Sequence, residues 1–472
     1  MTVGQRVYLQ SPPWLQTVLL NAHAWRIGRH RYGSSYRAAV ARLLEQEQWA
    51  PERIREYQDA RTRTIVDLAY RGTAYYRRLL DAAGIRPADI RGVADLPKLP
   101  LLTSDVVRTR GRELMTRRPA RGWLHGHTSG TTGSPLSLWY DRATCIMNNA
   151  VDRRQKVWGG MPEDAWLGLL LGRVIVPLAQ RHSPFWRTNW MLRQVWFSSF
   201  HMSDETLGTY VAEMQRRGLQ FLEGYPSTLY VLASYLKRRG VTLPMRAVFS
   251  SSETLLALQR STIETAFGCP LFDFYGLAER VIFAGECERH GGKHIAGEFG
   301  YVEVVDEGGS PVPAGRPGYV VGTSLHNTAM PMIRYRTGDL STVLTEPCPC
   351  GRPSPRLRDV TTKAEDIVVT PDGRLISPSV LTHPFKPLDQ IVKSQIVQER
   401  PNHLLVKIVA SEAFALEHER QLVTALQDRL GREMGVEVRV VDDIAPESSG
   451  KYRWVISRIP HDCQLPWDRE TV

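Results

Sequence analysis

Cysteine is scarce, with six in 472 residues, too few for a disulfide scaffold. No apolar run reaches the roughly 18 residues a membrane-crossing helix needs, so no transmembrane segment is expected. The N-terminus shows no basic stretch followed by a compact apolar one, and no secretory leader is expected there. Internal repeats and low-complexity tracts are also missing. Apolar residues at 42% and charged residues at 23% exclude disorder as the main state. A cytoplasmic location is the resulting expectation. Sixty Lys and Arg against 49 Asp and Glu leave a net charge of +11. That excess suits an anionic partner such as a nucleotide, coenzyme A or an acidic membrane face, or simply a soluble basic surface.

The first hundred residues carry helical spacing, as in Leu15, Val18, Leu19, Ala22 and Trp25. Trp14 and Trp25 above a basic tail (Arg26, Arg29, Arg31) fit peripheral membrane contact, or a helix packed on its own domain. From residue 120, apolar runs alternate with helical patterns. Leu167–Leu171, Arg173–Pro177, Gln220–Leu222, Ala247–Phe249 and Leu271–Phe274 are expected as buried strands, with helices over Thr206–Arg217 and Thr228–Arg239. The alternation predicts an α/β fold with a largely parallel sheet. Past residue 295, Tyr301–Val305 and Tyr319–Thr323 suggest an antiparallel layer. A smaller unit follows, with strands at Ile391–Gln398 and Leu404–Val409, a helix over Glu412–Met434 and a final strand at Val436–Val441. The boundary is expected near residues 359–366.

Four stretches carry chemistry. In His127-Thr128-Ser129-Gly130-Thr131-Thr132-Gly133-Ser134-Pro135, glycines, amides and hydroxyls can cradle phosphate, or form a polar hairpin loop. No Lys follows Gly133, so this is not the nucleotide loop GxxxxGK[ST]. In Asp273-Phe274-Tyr275-Gly276-Leu277-Ala278-Glu279, a strand runs into an aromatic turn with an acid behind it. The ring can face a purine and the acid can hold magnesium. In Tyr335-Arg336-Thr337-Gly338-Asp339-Leu340, an acid after a glycine turn can accept both hydroxyls of a ribose. Gly450-Lys451 places a lysine in a loop after the last expected strand.

In this order and at these separations, the four resemble the adenylate-forming ligase superfamily, and within it the phenylacetate–CoA ligase and CapK-like branch. Glu223-Gly224-Tyr225-Pro226-Ser227, Ser250-Ser251-Ser252-Glu253 and Pro353-Ser354-Pro355-Arg356-Leu357 fit that branch. The resemblance spans about residues 30–458. It implies a large N-terminal adenylation domain (1–360) with mixed or parallel sheets and helices, then a small α+β C-terminal lid domain (361–472) carrying Lys451. It implies ATP and Mg2+, with coenzyme A as co-substrate. Thr128, Ser129, Gly130, Thr131, Thr132 and Gly133 would wrap the ATP phosphates. Ser252 and Glu253 would line the adenine side, with Tyr275 and Gly276 beneath the purine. Glu279 would bind Mg2+, and Asp339, assisted by Arg356, would hold the ribose. Lys451 would reach the carboxylate and α-phosphate, with the hinge at Lys363-Ala364-Glu365-Asp366.

The implied reaction turns a carboxylate, a poor electrophile, into an acyl-adenylate with release of pyrophosphate. The acyl group then passes to coenzyme A, aryl acids being favoured by analogy. An alternative passes it to an amine, as in polysaccharide or natural-product assembly; a third reading is a non-enzymatic nucleotide binder. No stacking platform or helix-turn-helix pattern supports nucleic acid. The oligomeric state is left between monomer and homodimer. The chain departs from the family where Ser134 replaces a Lys or Arg, where Ala278 replaces a hydroxyl residue, and where Lys363 replaces the hinge arginine. His127 and His125 flank the phosphate loop, fit to polarise the carboxylate or merely to pack. The Trp186–Phe197 segment borders an acyl pocket, fills core or forms a protomer contact.

Cys287, Cys348 and Cys350 with His294 (His290 as alternative) have the composition of a structural Zn2+ site. Some members of the resembled branch carry such a zinc; two reduced cysteine turns fit the sequence as well. His294 is preferred because it abuts the expected strand Ile295–Val305.

Overall fold

Five parallel strands form the centre of the molecule because their sequences are apolar on both faces, as strands covered by helices on either side must be. In sheet order they are Gln194–Phe197, Leu167–Leu170, Phe221–Gly224, Ala247–Ser251 and Leu271–Gly276. Antiparallel strands extend the sheet to nine, with Trp186–Asn189 at one edge and Phe283–Glu286, Lys293–Ile295 and Arg356–Leu357 at the other. The computed structural model describes residues 3–117, 119–120, 122–128, 136–177, 179–362, 368–371, 375–376, 378–381, 384–385, 388, 390–444 and 454–459.

Helices cover both faces of this sheet. On one, Asp204–Arg216 and Pro226–Arg239 bury Tyr210, Met214, Leu229, Leu232 and Leu236 against Leu222 and Val248. Pro226 starts its helix where a missing N–H costs nothing, and Gly240 ends it at φ +63°, a conformation only glycine adopts without strain. On the other face, Arg142–Trp158 packs against Ser34–Gln46, with Leu43, Met147, Ala150 and Val151 buried. Inside that contact Arg154 and Glu298 pair at 2.9 Å, each about 5% exposed.

A second, antiparallel sheet takes Gly300–Val305, Pro317–Ser324, Tyr335–Thr342 and Thr361–Thr362. A third joins Gly435–Val440, His403–Ala410, Ile391–Arg400 and Val455–Ser457, with the helix Leu416–Leu430 closing a core of Ile396, Leu404, Val406, Leu422, Leu426 and Trp454. The α/β class is thus as expected.

Three local expectations are corrected. Arg173–Pro177 is no strand: the Arg173 amide bonds Leu171 O at 2.8 Å and the Ile175 amide bonds Arg173 O at 3.0 Å, tight turns in place of a ladder. Ile175 and Val176 are still buried, which is why the run looks like a strand. Ile295–Val305 is not continuous, since a turn through Gly297 and Phe299 splits it between two sheets. Val436–Val441 is not the last strand, because Val455–Ser457 adds a parallel partner to Ile391–Arg400.

The Arg154–Glu298 pair generates a stability prediction. Arg154→Met alone leaves a carboxylate buried without its cation and should cost about 3–5 kcal/mol. Adding Glu298→Leu should recover most of that loss in denaturant unfolding.

Candidate active site

Three of the motifs fall at the carboxyl ends of adjacent parallel strands, where open α/β sheets bind ligands. Register sets this directly: Gly224 lies beside Ser250, Ser250 beside Asp273, and Ser251 beside Phe274. The turns Tyr225–Ser227, Ser252–Glu253 and Leu277–Glu279 therefore emerge side by side. Glu253 ties two of them together, its carboxylate accepting from the Ser227 amide and hydroxyl at 3.0 Å each. Ser252 sits at φ +71° and Arg280 at φ +55°, left-handed conformations that non-glycine residues adopt under strain.

The second sheet supplies the opposing wall. Tyr335, Thr337 and Asp339 come from one strand, which bulges between Arg336 and Leu340 with Gly338 at φ +88°. The Tyr335 hydroxyl donates to Glu279 Oε1 at 2.7 Å, and the Tyr275 hydroxyl donates to Asp339 Oδ2 at 2.6 Å. Asp339 is 6% exposed and Glu279 7%. Burial pushes the Asp339 carboxyl up to about 7, the Tyr275 bond working against this and the Glu279 charge adding to it. Burial also raises Glu279, against the Tyr335 bond.

A hairpin flanks the stretch expected to cradle phosphate. Leu124–His127 pairs with Ser137–Tyr140, and Thr128 closes its neck, its hydroxyl accepting from the Leu136 amide at 2.9 Å. Tyr140 donates to the Ala278 carbonyl, joining this hairpin to the Glu279 turn. His125 stacks on Trp139 and reaches Ser137 Oγ at 2.7 Å, while the His127 ring meets it edge-on. Burial holds His125 below the usual imidazole range. Ser129, Gly130, Thr131, Thr132, Gly133 and Ser134 lie outside the described residues, as do Lys363 to Asp366 and Lys451. Trp454, three residues past Lys451, is buried in the small unit's core and bonds Ser394 Oγ at 2.9 Å.

Arg356 is placed away from the carboxylates. Its guanidinium donates to the carbonyls of Gly291 and Glu346, and its strand pairs with His294. There the structure gathers Cys287, His294, Cys348 and Cys350, whose ligand atoms lie within 4.8 Å of one another. Cys287 and Cys348 Sγ are 3.7 Å apart, and Cys350 Sγ is 3.4 Å from His294 Nε2. His290 instead contacts Glu286 at 3.1 Å. Burial and the nearby Arg352 and Arg356 lower His294 to about 4, so it is neutral at pH 7. Its Nδ1 lies 2.8 Å from Ser354 Oγ, which fixes Nε2 toward the thiols.

Sequence reasoning missed the Tyr335–Glu279, Tyr140–Ala278 and Ser227–Glu253 bonds. The period-two spacing of Tyr335 and Asp339 was the only signal for the first, and nothing local points to the other two.

Residues 368–458 match the CapK C-terminal domain family. Protein CapK of Staphylococcus aureus is 24% identical over 462 residues, covering 96% of this chain and 99% of the relative. Phenylacetate-coenzyme A ligase of Thermus thermophilus is 28% identical over 443 residues, covering 84% and 95%. Among solved structures, 2-hydroxyisobutyryl-CoA ligase with 2-HIB-AMP and CoA in the thioesterification state superimposes with a TM-score of 0.61 at 20% identity, covering 88% of this chain and 92% of that one. The same ligase in a postadenylation state gives 0.57 at 21% identity, covering 88% and 91%. With its motifs gathered at the strand ends and its likeness running nearly end to end, the chain is similar to the CapK and phenylacetate–CoA ligase-like branch of the adenylate-forming ligases.

Proposed function

We propose that the protein activates a small carboxylic acid with ATP as an acyl-adenylate and passes the acyl group to coenzyme A. The observation that carries this reading is the joined cluster Tyr140–Ala278, Glu279–Tyr335 and Tyr275–Asp339, which ties the Tyr275–Glu279 motif to the Tyr335–Asp339 strand and to the hairpin flanking residues 128–133. Asp339, once ionised, accepts hydroxyls of the ribose. Tyr275 orients that carboxylate and offers its ring to the base. Thr128 to Gly133, between the two hairpin strands, hold the phosphates with amides and hydroxyls. Two buried carboxylates, both raised by burial and Asp339 raised further by the Glu279 charge, fit a hard divalent cation, and Glu279 is the oxygen donor that would hold Mg2+. When bound, Mg2+ neutralises phosphate charge during attack on the α-phosphorus. Lys451, on the unit anchored by Trp454, supplies a positive charge to the carboxylate and α-phosphate, and positioning with fixed charge accounts for most of such a barrier. We take the division into 1–360 and 361–472 as the working one; it agrees with the separate core of the small unit.

The Cys287, His294, Cys348 and Cys350 set fits zinc. Two thiolates about 2.3 Å from one zinc stand about 3.8 Å apart in a tetrahedron, close to the 3.7 Å between Cys287 and Cys348. The ion would pin the loop after Glu279 to the one preceding the small unit.

Three outcomes are expected. Carboxylate-dependent pyrophosphate exchange should appear for some member of an acid panel. Lys451→Ala should slow it by about 100-fold or more while leaving ATP binding nearly intact. Silence across the panel, or amide formation from an added amine with no thioester, would count against the reading. Purified protein should carry about one zinc per chain by elemental analysis, and Cys348→Ser should lose it; metal-free wild type would dismiss the site. Finally, Asp339 has a folded pKa raised from 3.8 to about 7. Its neutral form is the one the fold prefers, so stability is fully present below the unfolded value and is lost as pH rises towards 7. Without nucleotide or metal, Asp339→Asn should therefore be more stable than wild type at pH 8, on the order of 2–4 kcal/mol, with the gap narrowing as pH falls. The same variant should bind ATP poorly.

A further inference from the structure

The helix Pro13–Arg31 carries apolar residues around its circumference, and the protein leaves part of them exposed. The inner face is firmly seated. Gln16 is 1% exposed and accepts from buried Arg187 at 2.6 Å, Ala24 is 6% exposed, and Tyr8 on the preceding helix donates to Ile175 O at 2.8 Å. Asn21 bonds Thr188 O and accepts from the Trp190 amide, each at 2.8 Å. The outer face carries Trp14 at 67% exposure, Val18 at 48% and Trp25 at 52%. These are one helical turn or two apart and form a single stripe. Through Asn21 the stripe adjoins the turn after Trp186–Asn189, where Trp190 is 57% and Met191 54% exposed. Three tryptophans, a valine and a methionine thus share one rigid outer surface at the sheet edge opposite the cysteine cluster.

The two chain segments that carry the patch hold charge of one sign, with Asp164 beside Arg193 and Glu213 beside Arg217 at its border. Residues 1–44 contain six arginines and no Asp or Glu, and residues 165–203, which carry Trp190 and Met191, contain no Asp or Glu either. Arg26 is exposed beside Trp25, and Arg31 ends the helix. His23 is held below the usual imidazole range by burial and by Arg26 and Arg31, as a local excess of positive charge requires.

We propose that this surface docks the protein onto an anionic lipid bilayer. Tryptophan favours the headgroup boundary, where its ring is buried and its N–H stays hydrated. Arginines beside it pair with lipid phosphates, each worth about fivefold in affinity near an acidic surface. A second copy of this chain is a poorer occupant, because a two-fold interface would set each basic patch against its own image. The helix is prefolded against the body, so docking needs no ordering of a free segment. Among the described residues no helix is long and apolar enough to cross a membrane, so the contact is peripheral. The inference is independent of the acyl acceptor and of the zinc.

Co-sedimentation of the full chain with sucrose-loaded vesicles tests it. Vesicles containing phosphatidylglycerol should bind at least about tenfold better than pure phosphatidylcholine, and about 0.5 M salt should weaken the binding. Trp14→Ser with Trp25→Ser should lower it about tenfold or more at unchanged melting temperature and unchanged pyrophosphate exchange. Arg26→Ala with Arg31→Ala should abolish the lipid preference in the same assay. Absence of binding to acidic vesicles, binding indifferent to the tryptophan pair, or a solution dimer that the tryptophan variant converts to monomer would each overturn the proposal.

Discussion

Two buried carboxylates, Glu279 and Asp339, are the constraint around which this molecule is arranged. Among the described residues no lysine or arginine pairs with either; tyrosine hydroxyls serve both. A hydroxyl bond offsets only part of the cost of desolvating a carboxylate, so both groups are held above their ordinary pKa. Such a site is stressed when empty and relieved when cations or hydroxyl donors arrive. Elsewhere the protein treats buried charge differently. Arg154 meets Glu298, Arg334 meets Glu303, and Lys293 meets Asp273 and Asp359, all within about 3 Å. The contrast separates charge kept for the fold from charge kept for a ligand.

The sheet supplies the rigidity that this stress requires. Tyr275 and Glu279 leave the end of one buried strand, and Tyr335 and Asp339 belong to a strand of another sheet. Leu102, Tyr335, Val281 and Ile282 share one hydrophobic cluster across that junction. Because the two walls are packed against each other independently of the polar contacts, the carboxylates cannot separate to relax their repulsion.

Much of this was legible in the sequence because the relevant signals are local. Glycine turns behind apolar runs locate the strand ends, and the Cys-x-Cys-Gly turn with a histidine upstream locates the cysteine cluster. What escaped was decided by distant partners. Arg173–Pro177 has a strand's composition, yet no neighbouring ladder receives it. Arg356 carries a suitable charge near Asp339 in sequence, but the carbonyls of Gly291 and Glu346 engage its guanidinium. The helix with Trp14 and Trp25 has apolar residues all round, so periodicity alone does not say which face the body covers; Gln16 and Ala24 on the inner side decide it.

The departure at Ala278 shows how the site tolerates a lost side chain. A hydroxyl at this position would add one more donor beside Glu279. Here the structural tie from the phosphate-loop hairpin reaches the main chain instead, since Tyr140 donates to the Ala278 carbonyl and Arg280 covers the Tyr140 ring at 4.1 Å. A main-chain acceptor is indifferent to the residue that carries it. The hairpin therefore keeps its place against the Glu279 turn whatever stands at 278, and the substitution removes a ligand contact without loosening the frame. The same reasoning applies to Glu253, which holds two strand-end turns together through Ser227. Frame and ligand contacts are carried by different atoms in this crevice. That separation lets the chain depart from the side chains of the family it resembles while its architecture stays intact.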